Sequence, residues 1–487
     1  MPVMRVNSPA AVALTLVAAA AGVSIIALQR AGSAREASRV YADACASCHG
    51  PKLQGGQGVS LVDDEWKHGG DDGSIAKSIR DGQPAMGMPP FGGSLSAPDI
   101  RALVIYIREE GARFTRSRTK FAKPSREVAA RSELHAFRLE NVTTGVEAPW
   151  AIAFLPDGRI LVTEKEGQLR VLNHGAVSAP IRGVPPVYTE GQAGLMDVAV
   201  HPDYARNGWI YLSFSDPGEN GTAMTAIVRG HVKDGAFVDQ QPIFKGNPLH
   251  YRHGGIHFGS RLVFAPDGHL FFSIGERGQK DDAQDVTRPN GKVHRVWGDG
   301  RVPDDNPFAS KPGAVRSIFS YGNRNPQGLV RHPLSGDLWE AEHGPRGGDE
   351  LNVIRPGRNY GWPVITYGMN YDGTPMTDLT AKEGMEQPVV YWTPSIAVSS
   401  IDFYMGDAFP KWKGNLLVGS LAAQELRRLE IDGATVKKQE VLFKDVGRIR
   451  DVVVGPDGFV YLAMHGPDRI ARLVPADAPA NGAAPSR

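Results

Sequence analysis

Residues 257–276 read HFGSRLVFAPDGHLFFSIGE, and the fold is decided here. An apolar run at Leu262, Val263 and Phe264 meets a Pro-Asp-Gly turn at 266–268, and a β-rich run follows from Leu270 to Ile274. Proline presets φ and glycine accepts a left-handed backbone, so these three residues reverse the chain between two strands. The phrase recurs as FLPDGRILVTE from Phe154, HPDYARNGWIYLSF from His201, RHPLSGDLWEAE from Arg331, WKGNLLVGSL from Trp412 and VGPDGFVYLAM from Val454, which makes six copies with the first. A strand-turn-strand unit cannot bury its own apolar faces, so the copies must pack on one another as a ring or a solenoid. They occupy residues 137–474, about 56 residues per unit, which exceeds a four-stranded blade of about 40–45 by one loop insertion each. The ring fits better, and the expected fold is an all-β six-bladed β-propeller.

The totals leave room for more. The chain has 487 residues, 41% hydrophobic and 22% charged, which suits two or three folded pieces of an ordinary globular protein. Fifty-four basic side chains face fifty-three acidic ones, a net charge of +1 that falls to −1 if residues 1–34, with Arg5 and Arg30, are removed. That balance carries no electrostatic footprint for nucleic acid.

Ahead of the repeats, residues 10–28 form a 19-residue stretch without a charge, flanked by Arg5 and Arg30 and followed by the small residues Gly32-Ser33-Ala34. Residues 1–34 are read as an export signal, which places the protein in the periplasm. An uncleaved membrane anchor is the alternative: 19 residues lie at the lower edge of a span, and eight alanines make the segment only mildly hydrophobic.

The two cysteines of the chain, Cys45 and Cys48, both belong to Cys45-Ala46-Ser47-Cys48-His49. In CxxCH the thiols form thioethers to haem vinyls and the adjacent imidazole becomes the proximal iron ligand, so haem c is the expected cofactor and His49 an iron ligand. GMPPFGG from Gly87 offers a methionine on a loop as the soft sixth ligand; Met88 is the choice and Met86 the competitor. Ser96 and Asp99 signal a helix start, and Ile100, Leu103, Val104 and Ile107 give that helix one apolar face. The order of CxxCH, methionine loop and closing helix resembles a class I cytochrome c, a small all-α domain over residues 36–111. Residues 112–135 read as a basic linker, since 113–131 hold seven basic residues, one acid and a proline with no sustained period.

In the propeller, the loops that approach the repeats carry the chemistry, because equivalent positions of a radial fold converge at one end of its axis. Gln192 lies ahead of the second copy, His257 ahead of the third, Arg324 and Asn325 ahead of the fourth, and Arg448 and Arg450 ahead of the sixth. Each has a plainer reading alone: Gln192 and Asn325 as satisfiers of buried backbone, His257 as a structural histidine, the arginines as surface pairs, and Asp349-Glu350 as an acidic turn. Together, three guanidiniums suit a ligand with several carboxylates, and Gly-Pro carbonyls beside Asp-Glu suit a hard cation such as calcium.

The stretches EGQAGLMDVAVHPDY, HFGSRLVFAPDG, GNRNPQGLV, EHGPRGGDELNVI, NYGWP, EQPVVYW and GRIRDVVVGPDGFVYL resemble the soluble PQQ-dependent glucose dehydrogenases, and more so their aldose sugar dehydrogenase branch. The resemblance covers 137–474. It implies pyrroloquinoline quinone (PQQ) on the propeller axis beside one calcium, with a second calcium near by. His257 would be the general base toward the sugar hydroxyl, and Gln192, Arg324, Asn325, Arg448 and Arg450 would hold the cofactor. The carbonyls of Gly344 and Pro345 would ligate the first calcium, and Glu350 with the carbonyl of Tyr360 the second. The pattern departs at Ser420-Leu421-Ala422, where the family's cofactor lysine is missing, and at Ile256, where an acid is expected; Glu276 takes the acidic place in the following strand. These departures weaken an inference of glucose specificity without touching the reaction type.

No G-x-G-x-x-G opens a βαβ unit for a nicotinamide or flavin, and a haem fused to a propeller is most simply an electron outlet for an oxidation. The expected function is a periplasmic quinohaemoprotein that oxidises an aldose or similar alcohol with PQQ and passes electrons through haem c to a one-electron acceptor, a cytochrome or the quinone pool. A calcium-dependent lactonase-like hydrolase with His257 as base, or a non-enzymatic binding propeller with a separate electron-carrying cytochrome, are the alternatives. The Pro/Ala-rich tail at 475–487 reads as disordered.

Overall fold

The computed structural model describes residues 35–63, 65–121 and 123–478. The proposed signal or anchor at 1–34 and most of the tail, 479–487, lie outside the described residues.

Six antiparallel sheets form the propeller. Blade one is Pro149–Phe154, Ile160–Glu164, Gln168–Asn173 and Ala176–Val177. Blade two is Leu195–Val200, Ile210–Pro217, Thr222–Lys233 and Ala236–Phe244, and blade three is Leu262–Phe264, His269–Ile274, Lys292–Trp297 and Ile318–Tyr321. Blade four is Pro326–Arg331, Leu338–Glu342, Asp349–Ile354 and Val390–Trp392, and blade five is Val398–Phe403, Leu416–Ser420, Glu425–Asp432 and Thr435–Lys444. Blade six joins the two ends of the domain: Arg448–Val454, Val460–His465 and Arg469–Pro475 are completed by Ala136–Thr143 from the start. First strands of neighbouring blades touch in a full cycle, and blade six returns to blade one.

The six repeated phrases are the first hairpins of these blades. In blade three, Leu262 pairs with Phe272 and Phe264 with Leu270 across the turn, where Gly268 takes φ 91°. All six residues of His269–Ile274 are buried, because each sheet is covered on both faces by its neighbours; this is why the sequence shows apolar runs instead of alternation.

An ion cluster ties the first strands together. Arg261, 4% exposed, donates from Nη1 to Asp451 of blade six (2.8 Å) and Asp197 of blade two (3.3 Å), and from Nε to the Gln327 carbonyl of blade four (2.8 Å). Its Nη2 reaches the Arg450 carbonyl at 2.8 Å, and the guanidinium lies 4.4 Å from the ring centre of Trp150 in blade one. Asp451 in turn accepts from the Ile152 amide at 2.9 Å. One buried cation thus spans five blades.

The N-terminal domain is all-α, with helices α1 (Ala37–Ala44), α2 (Ala46–His49), α3 (Asp72–Asp81) and α4 (Ala97–Arg118). Ser96 and Asp99 form the expected capping box, and Ile100, Leu103, Val104 and Ile107 are buried as expected. Two expectations need correction. Helix α4 runs to Arg118, past residue 111 where the cytochrome domain was expected to end, because Gly111 alone does not break a helix so well capped and the closing Arg116 and Arg118 suit its C-terminal dipole. Residues predicted as linker therefore begin as helix, and Ala130–Arg131 and Ala136 already belong to blade six. The predicted tail likewise starts ordered, since the last strand includes Pro475 and the Ala476 amide bonds to Ala136.

Candidate active site

At one end of the ring the entries to the first strands meet. The loops at 190–194 and 254–257 cross backbone against backbone: a Cβ on Gly191 would stand 2.5 Å from the Gly255 carbonyl oxygen, so only glycine fits, and the Gln192 amide bonds that carbonyl at 2.6 Å. Gln192 then accepts the His257 amide on its side-chain oxygen at 2.9 Å. His257, 8% exposed, sits at φ 53°, a left-handed conformation rare outside glycine, which the surrounding bonds impose.

The His257 Nδ1 is bonded to the Glu276 carboxylate, itself 1% exposed. A carboxylate accepts, so Nδ1 carries the proton and Nε2 is left as the basic nitrogen. Burial holds the His257 pKa below its ordinary value; Glu276 opposes that and Arg324 adds to it. The imidazole is therefore neutral at neutral pH and able to take a proton. Arg277, which the motifs did not single out, braces this loop: it donates to the carbonyls of Ile256 and Gly254 and lies 3.5 Å from the Phe258 ring centre. Ile256 is 43% exposed and its contribution is that carbonyl.

Arg324 lies beside His257 in blade four. Its Nη1 donates to the carbonyls of His343 (3.1 Å) and Gly344 (2.7 Å), while its Nε is buried without a partner. Asn325 is fully buried and its side-chain oxygen accepts the Gly259 amide at 3.1 Å, so at least that half of the side chain supports backbone. Arg450 donates to Gln327 at 3.0 Å, and burial together with the charges of Arg261 and Arg448 pushes its pKa down to about 9, which still leaves it a cation. Arg448 is half-buried. Among the described residues none of Arg324, Arg448 and Arg450 forms an ion pair, although Arg324 feels the buried Glu342 and Arg450 the buried Asp451. His343, whose Nε2 is buried without a hydrogen bond, feels Arg324, Arg450 and His257 at once, and burial with those charges drives its pKa down to about 3. The structure thus brings together Gln192, His257, Arg324, Asn325 and Arg450, and adds Glu276, Gln327 and His343.

Below Arg324 a small cavity of about 10 Å³, enough for one water-sized body, is lined by Glu342, Gly344, Gly348, Glu350 and Tyr360. Glu342 and Glu350 face each other across paired strands, with Glu340 one step along, and the Asn352 amide donates to all three. Burial and repulsion from Glu342 raise Glu340 and Glu350 well above the usual carboxylate range, and burial raises Glu342 itself to about 7 against its bonds to the Arg324 and Asn325 amides and the Arg324 charge. Among the described residues no three such side chains form a preformed metal cage. Gly344 and Tyr360 nonetheless line the same space as two acids, and an oxygen-rich donor set of that kind suits a hard cation. Pro345 is buried beside Gly368 and does not line this cavity. Glu340 and Glu342 escaped the motif reading because their strand, LWEAE, reads as ordinary sheet until its partner strand brings Glu350 opposite.

The α-helical domain encloses a cavity of about 480 Å³ lined by Cys45, Cys48, His49, Met86, Met88, Leu103 and Ile107, among others, a size within the range for small-molecule and cofactor sites. His49 Nδ1 is bonded to the Val59 carbonyl at 2.8 Å, which orients the ring and leaves Nε2 for a metal. Gly58 makes room for that ring, since a Cβ there would lie 2.9 Å from it. Met88 packs against the domain core, whereas Met86 is 58% exposed and its sulfur sits 3.4 Å from His68 Nε2. The donor set fits a covalently attached haem, which Cys45 and Cys48 would anchor and whose iron His49 and Met88 would hold.

Residues 146–472 match the Glucose / Sorbosone dehydrogenase family, and residues 32–107 match the family described as cytochrome c oxidase, cbb3-type, subunit III. Among curated proteins, the aldose sugar dehydrogenase YliI of Escherichia coli (strain K12) is 44% identical over 324 residues, covering 65% of this chain and 87% of its own. The apo-form structure of the E. coli soluble aldose sugar dehydrogenase aligns with a TM-score of 0.66 at 40% identity, over 70% of this chain and 99% of that one. A PQQ-bound aldose sugar dehydrogenase from Streptomyces coelicolor aligns with a TM-score of 0.57 at 28% identity, over 69% and 98%. With the six blades, the His257–Glu276 pair at their mouth and the cytochrome c domain ahead of them, the chain belongs to the glucose/sorbosone dehydrogenase family of oxidoreductases.

Proposed function

We propose that the protein oxidises aldoses, or alcohols of similar size, with PQQ as the immediate oxidant and its own haem c as the electron outlet, in the periplasm. The observation that carries this reading is the pair of guanidiniums outside any ion pair, Arg324 and Arg450, that meet the buried, neutral His257 around His343, with Arg448 next to Arg450. A ligand with several carboxylates is what such a field selects, and guanidinium forks match carboxylates bidentately. PQQ, when bound, supplies a two-electron acceptor for the substrate's hydride.

The protein's part is orientation and proton handling. His257 Nε2 takes the hydroxyl proton of the substrate, and Glu276 stabilises the imidazolium that forms while keeping the ring in the productive tautomer. Gln192 fixes the His257 backbone, and Arg324 and Arg450 would hold carboxylates of the cofactor, with Arg448 at the rim. A calcium ion would sit in the cavity that Gly344, Glu350 and Tyr360 line together, where it would neutralise the buried acids, while Pro345 lies outside that lining. In the α-helical domain, Cys45 and Cys48 would anchor the haem, and His49 and Met88 would ligate its iron.

The test is anaerobic: apo-protein is loaded with PQQ and calcium, a panel of aldoses is added, and haem absorbance is followed. Substrate-dependent haem reduction is expected. Its absence with every aldose and alcohol, together with lactone hydrolysis that needs no PQQ, would replace this reading with the hydrolase.

A further inference from the structure

We propose that the loop from Gly344 to Gly348 and helix α4 form a built contact through which electrons leave the propeller for the haem, with the Glu109–Arg346 ion pair as the positioning element. The inference rests on the function proposed above.

The contact is specific in its chemistry. Arg346 donates from Nε to both Glu109 oxygens at 3.0 Å and from Nη2 to Oε2 at 2.6 Å, and the two side chains are 25% and 14% exposed. A bidentate pair this shielded holds geometry far better than an exposed one. Around it, Ala37, Ala102 and Ile105 of the cytochrome domain and Met369 of the propeller bury one another at 1–2% exposure. The Ala37 amide bonds to the Gly373 carbonyl at 3.0 Å, and Arg101 donates to the Thr377 carbonyl. Gly347, at φ 78°, packs against Ile105, whose side chain lies 3.4 Å from where a Cβ would stand. Arg346 and Met369 exchange backbone bonds of 3.1 and 2.9 Å, so the strap at 366–374 and the loop move as one.

The two sides of α4 give this contact its use. Leu103 and Ile107 line the haem cavity, whereas Ala102, Ile105 and Glu109 face the propeller; at about 100° per residue the two sets lie on nearly opposite faces. One helix, about 10–12 Å across, therefore separates the haem cavity from a loop whose Gly344 carbonyl is held by Arg324 in the active site. Oxidation of an aldose to its lactone breaks one C–H and one O–H bond, forms a C=O bond, and releases two electrons and two protons. His257 hands protons to solvent, and the electrons convert ferric to ferrous haem one at a time. A one-electron acceptor, such as a soluble cytochrome, restores the ferric state between the steps.

Glu109→Arg, Glu109→Gln and the swap Glu109→Arg/Arg346→Glu test this. In protein without quinone, amide exchange at Ala37 and Met369 is expected to accelerate at least tenfold in Glu109→Arg and to recover in the swap. In loaded protein, sugar-dependent reduction of a small dye that draws electrons directly from the propeller should stay unchanged, while single-turnover haem reduction slows at least tenfold in Glu109→Arg, less in Glu109→Gln, and recovers in the swap. Unaltered exchange, or haem reduction at the unsubstituted rate despite faster exchange, overturns the proposal. If the unsubstituted protein reduces neither dye nor haem, the dehydrogenase reading itself fails, and the exchange data alone then decide whether the contact is built as described.

Discussion

Replacing Arg261 by Met should destabilise the propeller more than any single change at its rim. The substitution keeps an apolar stem of similar length but removes four hydrogen bonds and strands Asp197 and Asp451, which are 6% and 2% exposed, beside each other. Breaking a buried pair from one side costs about 3–5 kcal/mol, because a charge is left without compensation. With an unfolding entropy of about 2.1 cal/mol/K per residue over roughly 340 residues, that is a fall of about 4–7 °C in the propeller's Tm. The pH dependence gives the reasoning a sign. Burial raises the Asp197 pKa to about 6 even with Arg261 pulling it down. A group raised on folding favours the native state below its unfolded pKa and loses that contribution as pH climbs through the folded value. Without Arg261 the Asp197 pKa rises further, so the penalty should be larger at pH 8 than at pH 5. Adding Asp197→Asn and Asp451→Asn to Arg261→Met should recover part of the loss. Calorimetry at both pH values checks this, and a loss under about 1 kcal/mol, or one that grows on acidification, would refute the argument.

Four other outcomes are expected. His257→Ala should lower kcat by about 10²–10⁴, as loss of a general base does; Glu276→Gln should shift the acidic limb of the kcat/KM profile to lower pH, because Glu276 is what raises the His257 pKa against burial. Met88→Ala should lower the haem reduction potential and open the sixth coordination position, whereas Met86→Ala should leave both unchanged, as read by potentiometric titration and absorbance. Calcium at a hundred times its Kd should stabilise the protein by about 2.7 kcal/mol, chelation should reverse this, and Glu350→Gln should remove most of the response while raising the stability of the metal-free form, since one of three mutually repelling acids is gone.

Local chemistry explains which features were readable. Pro-Asp-Gly turns mark three of the hairpins and other Gly-bearing turns the remaining three, so all six were visible as a repeated phrase, and CxxCH with the Ser96–Asp99 cap announced the second domain. His257, Arg324 and Arg450 could be named because they stand at the same place relative to their repeats, and the ring does bring them together. Asn325 illustrates the limit: the plainer reading, a satisfier of buried backbone, describes its bond to Gly259.

Repetition, turn chemistry and the CxxCH spacing are properties of neighbouring residues, and they determined the ring and the cytochrome c domain, whereas the role of His257 as base came from the family resemblance. Partnership across blades is not such a property. Only closure of the ring set Arg261 between Asp197 and Asp451, placed Glu342 opposite Glu350, and left His343 between two guanidiniums and the His257 imidazole. Only docking of the domains gave α4 its second buried face, since Ala102, Ile105 and Glu109 look like a solvated helix side until Met369 and Arg346, more than two hundred residues away, cover them.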